Sequence, residues 1–133
     1  MKADRSQRRA WFGALSALMA VVALPGTAAA QAFPNKPVNL VVAFPAGSST
    51  DAVARELAQA MTGVLGQPVI VSNKGGAGGV LGTDLVAKAA PDGYTIGFGT
   101  SSQLVMNPGV YKTMPFDVDK DLRLIGLVGR TPM

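Results

Sequence analysis

Two short turns hold most of the chemistry this chain offers. The first, "FPAGSSTD", runs from Phe44 to Asp51 behind the apolar run "VNLVVAF"; the second, "GTSSQ", runs from Gly99 to Gln103 behind "YTIGF". Pro45 stiffens the first turn, Gly47 opens backbone angles closed to other residues, and Ser48 with Asp51 has the S-x-x-D spacing of a helix-capping variant. A helix beginning there leaves its first amides without acceptors and with a partial positive charge behind them. A carboxylate or phosphate is the matching guest. Ser48, Ser49 and Thr50 add hydroxyl donors, and Gly99, Thr100, Ser101 and Ser102 repeat the chemistry after a later strand. Capping its own helix is the ordinary use of each such turn. Two donor-rich turns that converge on one place point instead to a ligand.

Other chemistries fail on composition or spacing. The chain has no histidine and no cysteine, which removes the commonest general base, the usual metal ligand and every disulfide. In "NKGGAGGVLG", a dinucleotide fingerprint starting at Gly76 needs a glycine where Leu81 stands, and no Gly-Lys-Ser/Thr triplet forms a phosphate loop. These glycines are read as a tight strand-to-helix turn with close backbone packing, and Lys74 as a solvated loop lysine. Ser101 lacks the G-x-S-x-G frame, because Gln103 occupies its last glycine position. No catalytic set, metal site or cofactor is expected.

The elements that must position the two turns follow from periodicity. "PVNLVVAF", Pro37 to Phe44, suits a strand covered on both faces. Val53, Leu57, Ala60 or Met61, and Val64 recur at helical spacing, and "GQPVIVS", Gly66 to Ser72, starts a second strand. Leu81, Leu85 and Ala89 line a second helix, on which Asp84 and Lys88 form an i, i+4 pair. After the Pro91–Gly93 turn, Tyr94 to Thr100 reads as a third strand, "SSQLVMNPGVY" as a short helix or loop, "DVDKD" as an exposed turn and Leu122 to Val128 as a fourth strand. Strands alternating with helices specify right-handed crossovers and a mainly parallel, three-layer α/β sheet. If the first strand lies beside the third, the two turns face each other across one crevice at the carboxyl ends of the strands.

The first 32 residues read as a secretory leader. "MKADRSQRR" is basic, "AWFGALSALMAVVAL" is uncharged and too short to span a bilayer, and "PGTAAAQA" offers cleavage after Ala30 or Ala32. Arg8-Arg9 raises the twin-arginine route as an alternative to the general one. The leader holds four of the twelve basic residues and one of the eight acidic ones, so the rest of the chain carries a net charge of only +1. Nucleic acid is therefore not expected as a partner. Residues 33–133 form the remaining lobe, and the stop at "LIGLVGRTPM" looks like a chain cut partway through a larger fold.

"PNKPVNLVVAFPAGSSTDAVARELAQ", "LGQPVIVSNKGGAGGVLGTDLVAKAAPDGYTIGFGTSS" and "NPGVYKTMPFDVDKDL" together resemble the Bug family, the periplasmic receptors of tripartite tricarboxylate transporters. The resemblance implies a type II periplasmic binding protein fold of two lobes, roughly twice this length and closing like a hinge on a small carboxylate-bearing solute. It implies a di- or tricarboxylate, amino acid or aromatic acid as ligand, membrane transporter subunits as partners, a periplasmic location and no enzymatic activity. It also implies that Phe44, Pro45, Gly47, Thr50 and Asp51, with Gly99, Thr100 and Ser101, contact the ligand. Ser48 and Ser49 stand where the family commonly has further glycine, so two side chains enter a space otherwise left to backbone. Two other readings remain open: an exported hydrolase fragment with Ser48 or Ser101 as nucleophile, and a truncated product that binds nothing.

Overall fold

The computed structural model describes residues 32–130. Residues 1–31, with most of the expected leader and the Ala30 cleavage point, lie outside the described residues, as do 131–133. No helix among the described residues is long and apolar enough to cross a membrane. Strand β1 (Val38–Val42) leads to helix α1 (Ser49–Leu65), β2 (Val69–Asn73), a 3-10 turn (Ala77–Gly79), α2 (Val80–Ala87) and β3 (Thr95–Phe98). A π-helical turn (Ser102–Met106) then runs into α3 (Asn107–Val110), and α4 (Val118–Asp121) follows.

The sheet is parallel, in the order β2-β1-β3. Strand β1 is central because it is the most apolar: Val38, Leu40, Val41 and Val42 are each 2% exposed or less. Each such side chain contributes about 1.5–3 kcal/mol on burial. Leu40 and Val42 form one core with Ala54 and Ala58 of α1, and Val71, Ile96 and Phe98 pack beside them. The opposite face belongs to α2. A Cβ on Gly82 would lie 2.7 Å from the Ala43 Cβ, and one on Gly97 would lie 3.2 Å from a Val86 methyl. The three-layer parallel α/β arrangement expected from the sequence is present.

Three local expectations are corrected. On α1 the face turned inward carries Asp51, Ala54 and Ala58, while Val53 and Val64 are 48% and 87% exposed. Small alanines let the helix approach the sheet, and the inward tie of Asp51 sets the helix rotation, so residue size and one polar anchor outweigh the bulkier apolar stripe. On α2 the buried residues are Val80, Gly82 and Thr83, with Leu81 and Leu85 exposed. Here the near-contact of Gly82 with Ala43 and the Lys74 carbonyl fixes the packed face. The Asp84–Lys88 pair forms as expected, at 2.7 Å.

The third correction concerns the end of the described chain. Residues 122–130 form no strand, and Leu124, Ile125, Leu127 and Val128 are exposed. A strand needs a ladder partner as well as apolar residues, and neither sheet edge pairs with this segment among the described residues. "DVDKD" is a short helix, α4, capped by the Asp117 carboxylate accepting from the Asp119 and Lys120 amides.

Candidate functional site

Both donor-rich turns leave the same end of the sheet. Val42 pairs with Phe98, so the exits of β1 and β3 lie side by side. The chain passes from β1 to β2 on one side and returns to β3 on the other, which makes the β1/β3 boundary the point where strand order reverses. In open parallel sheets this crevice is the ordinary place for a ligand.

At the β1 exit the capping geometry is realised with one change. Ser48 Oγ accepts from the Asp51 amide at 3.2 Å, as an N-cap does. The Asp51 carboxylate reaches past Ser48 and accepts from the Gly47 amide at 2.8 Å, where Gly47 has φ +81°. Its other partners are Arg55 Nε at 3.0 Å and Asn73 Nδ2 at 2.8 Å. Asp51 is 3% exposed, and Arg55 also donates to Asn73 Oδ1. The Arg55 hydrogen bond above all, then those of Gly47 and Asn73, lower the Asp51 pKa from 3.8 to about 2.

Counting donors shows what is left for a guest. Of the first amides of α1, Ser48 donates to the Pro45 carbonyl and Asp51 to Ser48 Oγ. Ser49 and Thr50, in the first turn, have no intrahelical acceptor. The Gly47 amide is turned inward to Asp51, and Phe44 gives its carbonyl to Asn73 Nδ2 at 3.2 Å. Pro45 is exposed.

At the β3 exit the partner is Gln103. Its Oε1 accepts from the Thr100 amide at 2.5 Å and from Thr100 Oγ1 at 3.0 Å. Gln103 is fully buried, and its Nε2 has no hydrogen-bond partner. Gly99 and Ser101 are exposed, and Ser102 is half-buried. A continuous helical run, 101–110, starts here, so the Ser101 and Ser102 amides stand in its first turn.

The glycine-rich segment joins the two exits. A Cβ on Gly75 would lie 3.3 Å from the Pro45 nitrogen, the Lys74 amide donates to the Val42 carbonyl, and Asn107 Nδ2 donates to the Gly78 carbonyl at 3.0 Å. This is the tight turn and close packing read from the sequence. Arg55, Asn73, Gln103 and Asn107 escaped sequence reasoning. Their only signals were an Asn closing an apolar strand, and polar residues at helical positions that apolar ones would normally fill.

The structure brings the predicted residues of both turns to one end of the sheet, but with unequal orientation. Ser49, Thr50, Ser101 and Ser102 keep first-turn amides, whereas Gly47, Asp51 and Thr100 spend polar atoms on internal contacts. Ser48 serves as a cap. A shallow cavity of about 680 Å³ lies elsewhere, lined by residues such as Tyr111, Phe116 and Asp117, and includes none of the predicted site residues. The described residues contain no cluster of metal-ligating side chains.

Residues 53–133 match the tripartite tricarboxylate transporter family receptor. The chain belongs to this family. It is 40% identical over 116 residues to Protein BugT of Bordetella pertussis, a match covering 86% of this chain and 36% of BugT. Among solved structures, MatC from Rhodopseudomonas palustris with bound malate is 39% identical with a TM-score of 0.64, over 67% of this chain and 30% of that one. A second R. palustris protein, with adipate, is 35% identical with a TM-score of 0.58, over 65% and 29%. The chain spans about a third of the length of the curated relatives it matches, less than the half expected from the resemblance. The family match includes the β3 exit and all but the first four residues of α1.

Proposed function

We propose that residues 33–130 form one wall of a periplasmic solute receptor that takes a small carboxylate-bearing solute for a tripartite tricarboxylate-type uptake system. The observation that carries the reading is the adjacency of the β1 and β3 exits, each presenting first-turn amides at the point where strand order reverses. Malate and adipate, the ligands named for two solved relatives, are dicarboxylates and suit such donors. In this reading Ser49, Thr50, Ser101 and Ser102 meet the ligand. Phe44, Pro45, Gly47, Ser48, Asp51, Gly99 and Thr100 shape the loops that present them. The basic, apolar and small-residue sequence of the leader supports export, and subunits of the membrane transporter are the partners. The chain has no histidine, and Ser48 Oγ is engaged with the Asp51 amide, so binding is favoured over hydrolysis.

An amide-resolved NMR titration of the 133-residue chain with malate, adipate and a neutral polyol tests this. The dicarboxylates are expected to shift the Ser49, Thr50, Ser101 and Ser102 amides, with affinity weaker than micromolar because one wall buries little of a ligand. Shifts produced by the polyol while both dicarboxylates leave these four amides unmoved would refute the substrate class.

A further inference from the structure

We infer that Gln103 is a positioning residue of this site: its buried carboxamide holds the β3 exit in the shape that turns the Ser101 and Ser102 amides toward an anionic ligand. The inference rests on the receptor reading above and names the device that maintains half of it.

Gln103 Oε1 takes both polar hydrogens that Thr100 can offer, at 2.5 and 3.0 Å. Thr100 is thereby removed as a ligand donor, and the next free amides are those of Ser101 and Ser102. The same side chain leaves Nε2 buried without an acceptor. A buried donor without a partner is costly, so an apolar residue of similar size would fill the position with less penalty. Packing alone therefore does not account for a glutamine here; the acceptor that grips Thr100 does. The surroundings are shaped to this side chain. A Cβ on Gly79 would overlap the Gln103 side chain, and Gly79 has φ +91°, a backbone conformation that favours glycine beneath the carboxamide. The turn that carries Gln103 is π-helical, a widened form frequent at functional sites, and Asn107 ties the following turn to Gly78.

The experiment compares the full chain with Gln103→Met and Gln103→Glu by thermal unfolding, amide hydrogen exchange and the malate titration. Gln103→Met removes the acceptor and the unpartnered donor together, and is expected to unfold at the wild-type temperature or higher. Its Thr100 amide should exchange at least tenfold faster, and the malate-induced shifts at Ser101 and Ser102 should fall at least threefold while those at Ser49 and Thr50 persist. Gln103→Glu keeps an oxygen acceptor for Thr100 and should restore its slow exchange, which a merely space-filling role would not require; the malate shifts are compared between the wild type and Gln103→Met, because the added carboxyl would itself repel the ligand. Unchanged Thr100 exchange, or full malate shifts at Ser101 and Ser102 in Gln103→Met, overturns the inference. If Gln103→Met fails to fold, failure of Gln103→Glu to protect Thr100 overturns it equally. A wild-type chain with all four amides silent to malate and adipate defeats the receptor reading itself, and with it the ligand role of Gln103. The exchange result then still separates the two failures.

Discussion

The β1 and β3 exits do the same geometric job by opposite electrostatic means. At β1 an ionised carboxylate, a guanidinium and a carboxamide close on one another, and Asp51 accepts from Arg55, Gly47 and Asn73. At β3 the lock is neutral, a single buried glutamine against Thr100. The first network satisfies its charge fully and reaches solvent through Arg55, whose side chain is 53% exposed. The second keeps one donor, the Gln103 Nε2, buried and unsatisfied. In the proposed reading, an anionic ligand between them would meet one exit whose negative charge is already neutralised, and another that contributes only dipoles. Neither presents an unpaired charge, so in that reading discrimination among acids would fall to amide and hydroxyl geometry.

The comparison can be broken first through the glycines on which both exits rest. Gly82→Ala places a methyl 2.6 Å from the Lys74 carbonyl and 2.8 Å from the Ala43 Cα, both of them backbone atoms. Overpacking of this kind costs about 1–3 kcal/mol, so the urea midpoint should fall clearly. An unchanged midpoint would mean that α2 does not hold the end of β1 closely.

Next comes the charge at β1. Asp51→Asn should destabilise more than removal of the cap at Ser48, because Arg55 loses its ionised partner and the Gly47 amide a charged acceptor. Asp51 has a folded pKa of about 2 against an ordinary 3.8. Its stabilisation is complete above about pH 4 and is lost as pH falls through 2. Unfolding midpoints measured from pH 5 to pH 2 should decline in the wild type and decline less in Asp51→Asn. The remaining slope belongs to groups such as Asp92 and Asp117, held below the usual range chiefly by the Tyr94 amide and by Lys120. Equal slopes would show that the β1 network is not closed in solution.

Ser48→Ala should cost about 1 kcal/mol, the usual worth of an N-cap, and should fray the start of α1 without changing amide exchange at Thr100. Coupled exchange at both exits would mean that they are one unit and the contrast between them false. The smallest effect is expected for Lys88→Ala. That exposed i, i+4 pair is worth about 0.3–0.5 kcal/mol, and its loss should leave both exits untouched in hydrogen exchange.

Much of this was legible along the chain because it depends on near neighbours. The apolar run Val38–Val42 predicted a covered central strand, S-x-x-D predicted a cap at Ser48, and the alternation of strands and helices predicted the parallel sheet. The errors fell where contacts between distant residues decide. Val53 and Val64 looked like the buried side of α1, but a helix shows its alanines to the sheet when close approach and an inward carboxylate favour that rotation. Leu122 to Val128 had strand composition, but pairing requires a neighbour that composition cannot supply.

The sequence by itself determined the three sheet strands and the two long helices, the two hydroxyl-rich turns and the exclusion of histidine chemistry, since each follows from residue identity or spacing over a few positions. The tertiary structure alone decided that the two turns leave one end of the sheet side by side, that the Gly47 amide and the Asp51 carboxylate are spent on each other, and that Gln103 and Asn73 hold the loops. Strand order and a buried hydrogen bond join residues many positions apart, as Asp51 joins Asn73, and nothing in the local pattern of either partner names the other.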